Sequence, residues 1–217
     1  MSWEDHAARG EARYADGAAR LPDEPDARQR QLVRMAMAAG AAGLARLMEG
    51  RDEEAREWLL RAAERYRESW AAAPPGSWGR PIGALKARIL AGDPAGAADD
   101  AAWTLAAVPS GEESPIGRYA AVLALLVLGR DAEAVERAEP LRSAEGFPSD
   151  VGDALAALAR GDAPAYAAAA ASVLRSFEER DAYLEDIPVA DTVLVLERLA
   201  EPRGLAAGLR SPLLPPG

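Results

Sequence analysis

Apolar and polar residues along this chain follow the spacing of amphipathic helices. Near the C-terminal end, four apolar residues recur every three or four positions: Val189, Val193, Leu196 and Leu199. This spacing predicts a helix over residues 188–200. Alanine, leucine, arginine and glutamate dominate, whereas the β-branched and aromatic residues that favour strands are sparse. The pattern therefore predicts an almost entirely α-helical protein.

Capping side chains indicate where several of these helices begin. Ser2 and Asp5 form a capping-box pattern, which predicts a helix over residues 3–18. The segment "LPDEPDA" leads into a long helix predicted over residues 25–49. Two more starts combine a capping side chain with proline, the favoured first helical residue, at Asp93-Pro94 and Ser114-Pro115.

Four short turns share one pattern of residues: "GRDEEA" at 50–55, "GDPAGA" at 92–97, "GRDAEA" at 129–134 and "GDAPAY" at 161–166. Each has a glycine, an aspartate one or two residues later, and a fixed position five residues after the glycine. The glycines are Gly50, Gly92, Gly129 and Gly161, the aspartates are Asp52, Asp93, Asp131 and Asp162, and the fixed position holds Ala55, Ala97, Ala134 and, in the last copy, Tyr166.

Each shared position suits a turn between two antiparallel helices. The glycine can adopt the left-handed conformation that ends a helix, and the aspartate can accept N–H bonds from the next helix. Alanine allows the two helices to approach closely, and an apolar residue three positions before the glycine faces the partner helix: Leu47, Ile89, Leu126 or Leu158. The glycines are 42, 37 and 32 residues apart, which is typical of irregular helical-hairpin repeats.

At these turns the sequence resembles the tetratricopeptide family, which connects its paired helices through a similar hexamer. In the first copy the likeness extends to Gly43, Ala55, Leu59 and Ala62, and Pro109 lies where that family often ends its second helix. The family's large aromatic positions in the first helix are not kept. The resemblance implies a tetratricopeptide-like α-solenoid of about four to five stacked antiparallel hairpins in one continuous domain, residues 1–217. A less regular helical bundle is the alternative.

Proline- and glycine-containing segments separate the predicted hairpins. They are "APPGSWGRP" at 73–81, "VPSGEESP" at 108–115 and "EGFPSD" at 145–150. The first of them is also the predicted place of any subdivision of the domain. The tail over residues 202–217 is too apolar for a free end, so we expect Leu213 and Leu214 to dock on the last hairpin.

Composition and charge exclude several classes of binding site and catalytic chemistry. The net charge of −10 argues against direct nucleic-acid binding and suits a basic partner protein. Cysteine is absent and His6 is the only histidine, so thiolate chemistry and histidine-rich metal sites are excluded and no cofactor is predicted. Asparagine is absent and Lys86 is the only lysine, a bias typical of GC-rich genomes rather than of anion recognition.

The N-terminal segment and the longest apolar run indicate where in the cell the protein is expected. The beginning, "MSWEDHAARGEAR", is acidic and lacks the apolar segment of a signal peptide. The strongly apolar run from Tyr119 to Leu128 is too short to cross a bilayer. These features predict a soluble, cytoplasmic protein that does not enter the membrane.

Few residues stand out as candidate sites. Trp70 and Trp78 flank "AAAPPGS" and could either close the edge of a repeat or line a partner-binding groove, whereas Trp58 and Trp103 are predicted core residues. The acidic clusters, at Asp99-Asp100, at Glu112-Glu113 and over residues 178–186, are interpreted as solvated surface, and His6 as exposed. No phosphate-binding loop, nucleophile elbow or dinucleotide-binding motif is present.

We therefore expect a non-catalytic module that binds a partner protein or peptide on its helical-repeat surface. The stretches "SWGRPIGALKARILAGDPAGAADDAAWTLAAVP", "ALAALARGDAPAYAAAAASVL" and "LERLAEPRGLAAGLRSPLLP" also resemble the immunity protein 49 family of bacterial toxin systems. That resemblance implies neutralisation of a cognate toxin, although "LRSFEE" replaces a histidine-containing segment and "SPLLP" departs from the usual ending. An enzyme or small-molecule binder is the remaining alternative, and the partner's identity and the oligomeric state stay open.

Overall fold

The computed structural model describes residues 1–109 and 111–216, which form ten α-helices and no β-strand. The predicted all-α class is confirmed. The helices are α1 (Trp3–Ala19), α2 (Pro25–Met48), α3 (Asp52–Ser69), α4 (Gly79–Leu90), α5 (Pro94–Ala107), α6 (Pro115–Val127), α7 (Asp131–Ala138), α8 (Ser149–Arg160), α9 (Ala163–Glu178) and α10 (Asp191–Ala200). Ser110, in the predicted loop 108–115, and Gly217, in the predicted tail, lie outside the described residues.

Local capping explains where several helices begin. The Ser2 hydroxyl accepts the N–H of Asp5 at 3.1 Å, and the Asp5 carboxylate accepts the N–H of Ser2 at 2.9 Å, so the predicted capping box is present. Ser114 is the N-cap of α6, and its hydroxyl accepts the N–H of Gly117 at 3.2 Å. The helix predicted over residues 188–200 begins later, at Asp191.

All four turn glycines have the left-handed conformation, with φ of 71° at Gly50, 62° at Gly92, 67° at Gly129 and 71° at Gly161. Each glycine N–H donates to the carbonyl three residues earlier, and the next N–H donates to the carbonyl five residues before it, at 2.9–3.2 Å. This pair of bonds is the Schellman motif of helix C-termini. A Cβ at these positions would contact nothing within 4 Å, so backbone conformation rather than crowding requires glycine.

The aspartates of the turns differ from the prediction. Asp52 and Asp131 are the first residues of their helices, and the N-cap positions are held by Arg51 and Arg130, which make no side-chain capping bond. The two arginines instead pair with glutamates three residues later, at 2.6 Å to Glu54 and 2.7 Å to Glu133. A capping role for Asp52 and Asp131 is therefore wrong, although both lie where a carboxylate favours the helix dipole.

The other two turns begin their second helices differently. Asp162 is an N-cap, since its carboxylate accepts the N–H of Ala165 at 3.1 Å. Asp93 precedes Pro94, the first residue of α5, and accepts a hydrogen bond from the Arg88 guanidinium at 2.8 Å.

The position five residues after each glycine is buried in all four copies. Ala55 and Ala134 are fully buried and Ala97 is 4% exposed. A side chain on Gly43 would contact the Ala55 carbonyl oxygen at 3.2 Å, so α2 and α3 pass at close range there. In the fourth copy Tyr166 is fully buried and its hydroxyl donates to Glu197 of α10 at 2.8 Å, which gives the larger side chain a partner.

The contacts of the chain group into two units. The first unit comprises Met1–Asp93, Asp181–Val189 and the end of the chain from Pro212. Within it α2 packs against α1 and α3, and α3 packs against α4. Its core is rich in alanine, and one cluster of Ala39, Ala62, Ala63 and Ala87 is covered by Tyr14 and Trp58. Trp58 is thus only partly buried.

The second unit comprises Pro94–Arg180 and Ala190–Ser211. Sequential helices again pack together from α5 to α10, around fully buried side chains that include Val122, Leu123, Leu141, Leu155 and Leu196. This neighbour-to-neighbour packing within each unit is what antiparallel hairpins require. The stacking of all the hairpins into one solenoid stays a prediction.

The tail after Pro202 does not follow the predicted course throughout. The N–H groups of Ala207 and Gly208 donate to the carboxylate of Glu197 at 3.1 and 2.9 Å, and Ser211 donates to Glu178 of α9. Leu214 is buried as expected, but the chain from Pro212 onward groups with the first unit and not with the α8–α9 hairpin. Among the described helices, none combines the length and the hydropathy needed to span a bilayer.

Candidate functional site

Trp70 and Trp78, the predicted partner-binding residues, lie against each other. Their ring centroids are 5.7 Å apart with the planes tilted by 30°. Trp78 is only 8% exposed, and Trp70 is partly buried in the short 3₁₀ segment that follows α3. The pair therefore joins the two ends of the loop between α3 and α4. Whether the pair closes the edge of a repeat or binds a partner stays a prediction.

Two residues assigned to the surface from the sequence are buried. Asp100 is 1% exposed, and its backbone carbonyl accepts the Thr104 hydroxyl at 2.7 Å, so only Asp99 of that acidic pair is exposed. His6 is 7% exposed, with its ring 5.5 Å from that of Trp3. Helical periodicity places both residues on inward faces once the neighbouring helices pack. Among residues 1–109 and 111–216, no three acidic or histidine side chains group so that they could hold a metal ion.

The burial of His6 gives a pH-dependent stability. Burial lowers the pKa of His6 below 6.5, and the nearby Arg9 lowers it further. A base with a lowered folded-state pKa binds fewer protons when folded, so the free energy of unfolding falls as the pH drops below about 6.5. We expect urea unfolding to show this loss between about pH 7 and pH 5.5, and His6→Gln to reduce it. An equal loss in wild type and His6→Gln would exclude His6 as its source.

A loop over residues 181–187, between α9 and α10, exposes an apolar side chain. Leu184 is 71% exposed, one of three large apolar residues exposed in the described part of the chain, with Met1 and Ile116. Ile187, the last residue of the loop, and Val189 are both 3% exposed and belong to the first unit. Leu184 therefore lies on a segment attached to a core and not on a free chain end.

The backbone of this loop has an uncommon conformation. Glu185 and Asp186 both have φ of 57°, and they are the positive-φ residues other than glycine in the described chain. The conformation is closed by bonds from the Asp186 N–H to the Tyr183 carbonyl at 3.0 Å and from the Ile187 N–H to the Leu184 carbonyl at 3.2 Å. Left-handed geometry at a residue with a side chain costs about 1–3 kcal/mol. Other contacts in the fold therefore offset this conformational cost at two successive residues.

Two arginines of α1 bind this loop. One guanidinium nitrogen of Arg9 donates to the Glu185 carbonyl oxygen at 2.6 Å, and the other lies 3.4 Å from the Asp186 carboxylate. Arg13 pairs with the Glu185 carboxylate, whose side chain is only 11% exposed. Arg9 and Arg13 are four residues apart and so lie on one face of α1. The loop is thus connected to α1 through both its backbone and its side chains.

Acidic groups lie on both sides of Leu184. Asp181 is exposed, and the Asp186 side chain is 82% exposed despite its contact with Arg9. Glu185 is largely covered by its pairing with Arg13. The exposed part of the loop therefore combines one leucine side chain with flanking negative charge.

The second unit carries a groove of about 430 Å³ along α8 and α9. Its wall includes four alanines, and its charged side chains are largely paired within the unit: Arg142 with Asp153 at 2.6 Å, and Arg160 with Glu139. The charged side chains of the groove therefore already have hydrogen-bond or ion-pair partners within the unit.

This loop lies in the acidic run over residues 178–186 that was predicted to be solvated surface, and the exposure of Leu184 was not predicted. A leucine between acidic residues gives no periodic signal, and its exposure depends on where the loop packs. The one available signal is the apolar pair Tyr183-Leu184 within "EERDAYLED", which is unusual in a solvated acidic run.

No protein-family model matches the chain, and no curated protein or solved structure was found to match it. The resemblances to tetratricopeptide proteins and to immunity protein 49 therefore stay predictions.

Proposed function

We propose that this chain is a non-catalytic protein-interaction module whose partner binds the 181–187 loop. The observation that carries the proposal is Leu184, which is 71% exposed on a loop whose next two residues are in the left-handed conformation. Strained backbone of this kind is concentrated at binding and switching sites, where the surrounding structure compensates for its cost. An apolar side chain presented in this way gains free energy once a partner covers it.

The free energy gained by covering Leu184 is large enough to contribute measurably to binding. Burying a leucine side chain that was exposed contributes about 1.5–3 kcal/mol. Interfaces concentrate their binding energy in a few residues, which lie at the centre and are surrounded by polar contacts. Leu184 is likewise an apolar residue with polar neighbours, since the exposed Asp181 and Asp186 lie on either side of it in sequence.

The charge of the loop indicates the chemistry of the partner. Exposed carboxylates on both sides of Leu184, on a chain of net charge −10, favour a partner with an apolar pocket surrounded by arginine or lysine. A second copy of this acidic chain is disfavoured by the same repulsion. The expected complex therefore forms more slowly as the salt concentration rises.

Leu184→Asp tests the proposal, because it should abolish capture of a partner without affecting folding. Tagged wild-type and variant chains are purified from the native host, and the co-purifying proteins are quantified by mass spectrometry. Ile116→Asp is the matched control, since Ile116 is also exposed, at 45%, but lies in the first turn of α6 in the second unit. We expect a protein that wild type and Ile116→Asp retain equally and that Leu184→Asp loses.

Two results would contradict the proposal. Recovery of the same proteins in equal amounts by wild type and Leu184→Asp would exclude the loop as the binding site. A wild-type chain that recovers no protein but changes the turnover of a metabolite would instead favour the enzyme alternative.

A further inference from the structure

The segment Asp181–Val189, which contains the 181–187 loop, belongs with the helices of the first unit although the chain on either side of this segment does not. The chain is part of the second unit up to Arg180, joins the first unit over Asp181–Val189, and is part of the second unit again from Ala190. Its turn, Leu184–Asp186, packs near α2, and its polar groups bind α1. The position of Leu184 is therefore set by α1 and α2.

The contacts of Arg9 and Arg13 are selective for the conformation of the loop. Arg9 binds the carbonyl oxygen of Glu185, and the direction of that carbonyl depends on the left-handed backbone of this residue. Arg13 binds the carboxylate of the same residue from the next turn of α1. A loop that relaxed to ordinary backbone angles would turn this carbonyl away from Arg9.

We infer that α1 presets the 181–187 loop for binding, with Arg9 and Arg13 as positioning residues that keep Leu184 in the orientation its partner requires. This inference rests on the proposed function. Fixing a loop before binding removes the entropy cost of ordering it in the complex, so it increases affinity without any new contact. Arg9 and Arg13 thus contribute to binding through the loop, whether or not they contact the partner.

The chain has no cysteine, which allows a direct test of this ordering. Leu184→Cys introduces a single attachment site for a nitroxide spin label, whose mobility is measured by electron paramagnetic resonance. Arg9→Gln with Arg13→Gln is expected to increase the mobility of the label. Arg20→Gln is the control, because Arg20 is the C-cap residue directly after the same helix and pairs with Asp16 one turn before it. Circular dichroism of each variant checks that the helices remain folded.

Affinity is measured on chains that keep Leu184, with the partner that Leu184→Asp loses. If Arg9→Gln with Arg13→Gln leaves the loop in its binding conformation about a tenth of the time, the apparent Kd rises about tenfold. Arg20→Gln should leave the Kd unchanged. A mobile label together with this loss of affinity supports the inference.

The remaining outcomes separate the inference from the proposed function. A label that stays immobile in Arg9→Gln with Arg13→Gln overturns the inference, and the result for Leu184→Asp is unaffected by it. A mobile label with unchanged affinity also overturns it, because the ordering would then not serve binding. Equal partner capture by wild type and Leu184→Asp contradicts the proposed function instead, whatever the label shows.

Discussion

Replacing Arg203 by alanine is expected to lower the free energy of unfolding of the second unit by about 3 kcal/mol. The Arg203 side chain is 17% exposed and makes a hydrogen bond of 2.6 Å to the carboxylate of Asp131. It also donates to the carbonyls of Leu126, near the end of α6, and Leu199, near the end of α10, at 2.7 and 2.8 Å. Removing the guanidinium leaves these partly buried acceptors without a charged donor.

Urea unfolding of wild type and Arg203→Ala measures the loss. Arg198→Ala is the matched control, because Arg198 pairs with Glu201 at 3.7 Å through side chains that are 56% and 69% exposed. Exposed pairs of this kind contribute about 0–1 kcal/mol. Similar stabilities of Arg203→Ala and Arg198→Ala would show that Arg203 does not connect α6, α7 and α10.

Gly10→Ala should destabilise the first unit by about 2 kcal/mol or more, because a methyl group has no space where α1 crosses α2. A Cβ on Gly10 would lie 2.7 Å from the Ala38 carbonyl oxygen and 2.9 Å from the Ala42 nitrogen. Both are backbone atoms of α2, so rotation of a side chain cannot relieve the overlap. The two helices would have to move apart and lose part of their buried contact.

Gly40→Ala provides the control for Gly10→Ala. A Cβ on Gly40 would have its nearest contact at 4.0 Å, with the Cβ of Ala62. Alanine is favoured over glycine by about 1 kcal/mol in a helix interior, so this variant should be neutral or stabilised. Thermal and urea unfolding compare the two variants. If Gly10→Ala were as stable as Gly40→Ala, the close crossing of α1 and α2 would be contradicted.

The turns could be predicted from the sequence because they depend on local backbone rules. A glycine after a helical run and before a polar helix start favours the Schellman motif, and all four glycines have the positive φ that it requires. The exact first residue of the next helix was harder to predict from the sequence. Arg51 and Arg130 occupy N-cap positions that aspartate was expected to hold, a shift of one residue that composition does not resolve.

Contacts between distant residues could not be predicted. Nothing near Arg203 in sequence indicates that it binds Asp131, and the burial of His6 and Asp100 becomes evident only when neighbouring helices pack. The exposure of Leu184 has the same origin. Its loop is bound by Arg9 and Arg13, which are more than 170 residues away in sequence. The sequence around Leu184 therefore indicates neither the left-handed backbone of the loop nor its contacts with these arginines.

Binding of a partner at Leu184 is tested by the Kd of the purified partner for wild type, Leu184→Ala and Ile116→Ala, measured by isothermal titration calorimetry. A leucine at the centre of an interface should cost at least about 1.4 kcal/mol when truncated, which is a tenfold increase in Kd. We expect that increase for Leu184→Ala and an unchanged Kd for Ile116→Ala. Equal Kd values for wild type and Leu184→Ala would contradict binding of the partner at Leu184.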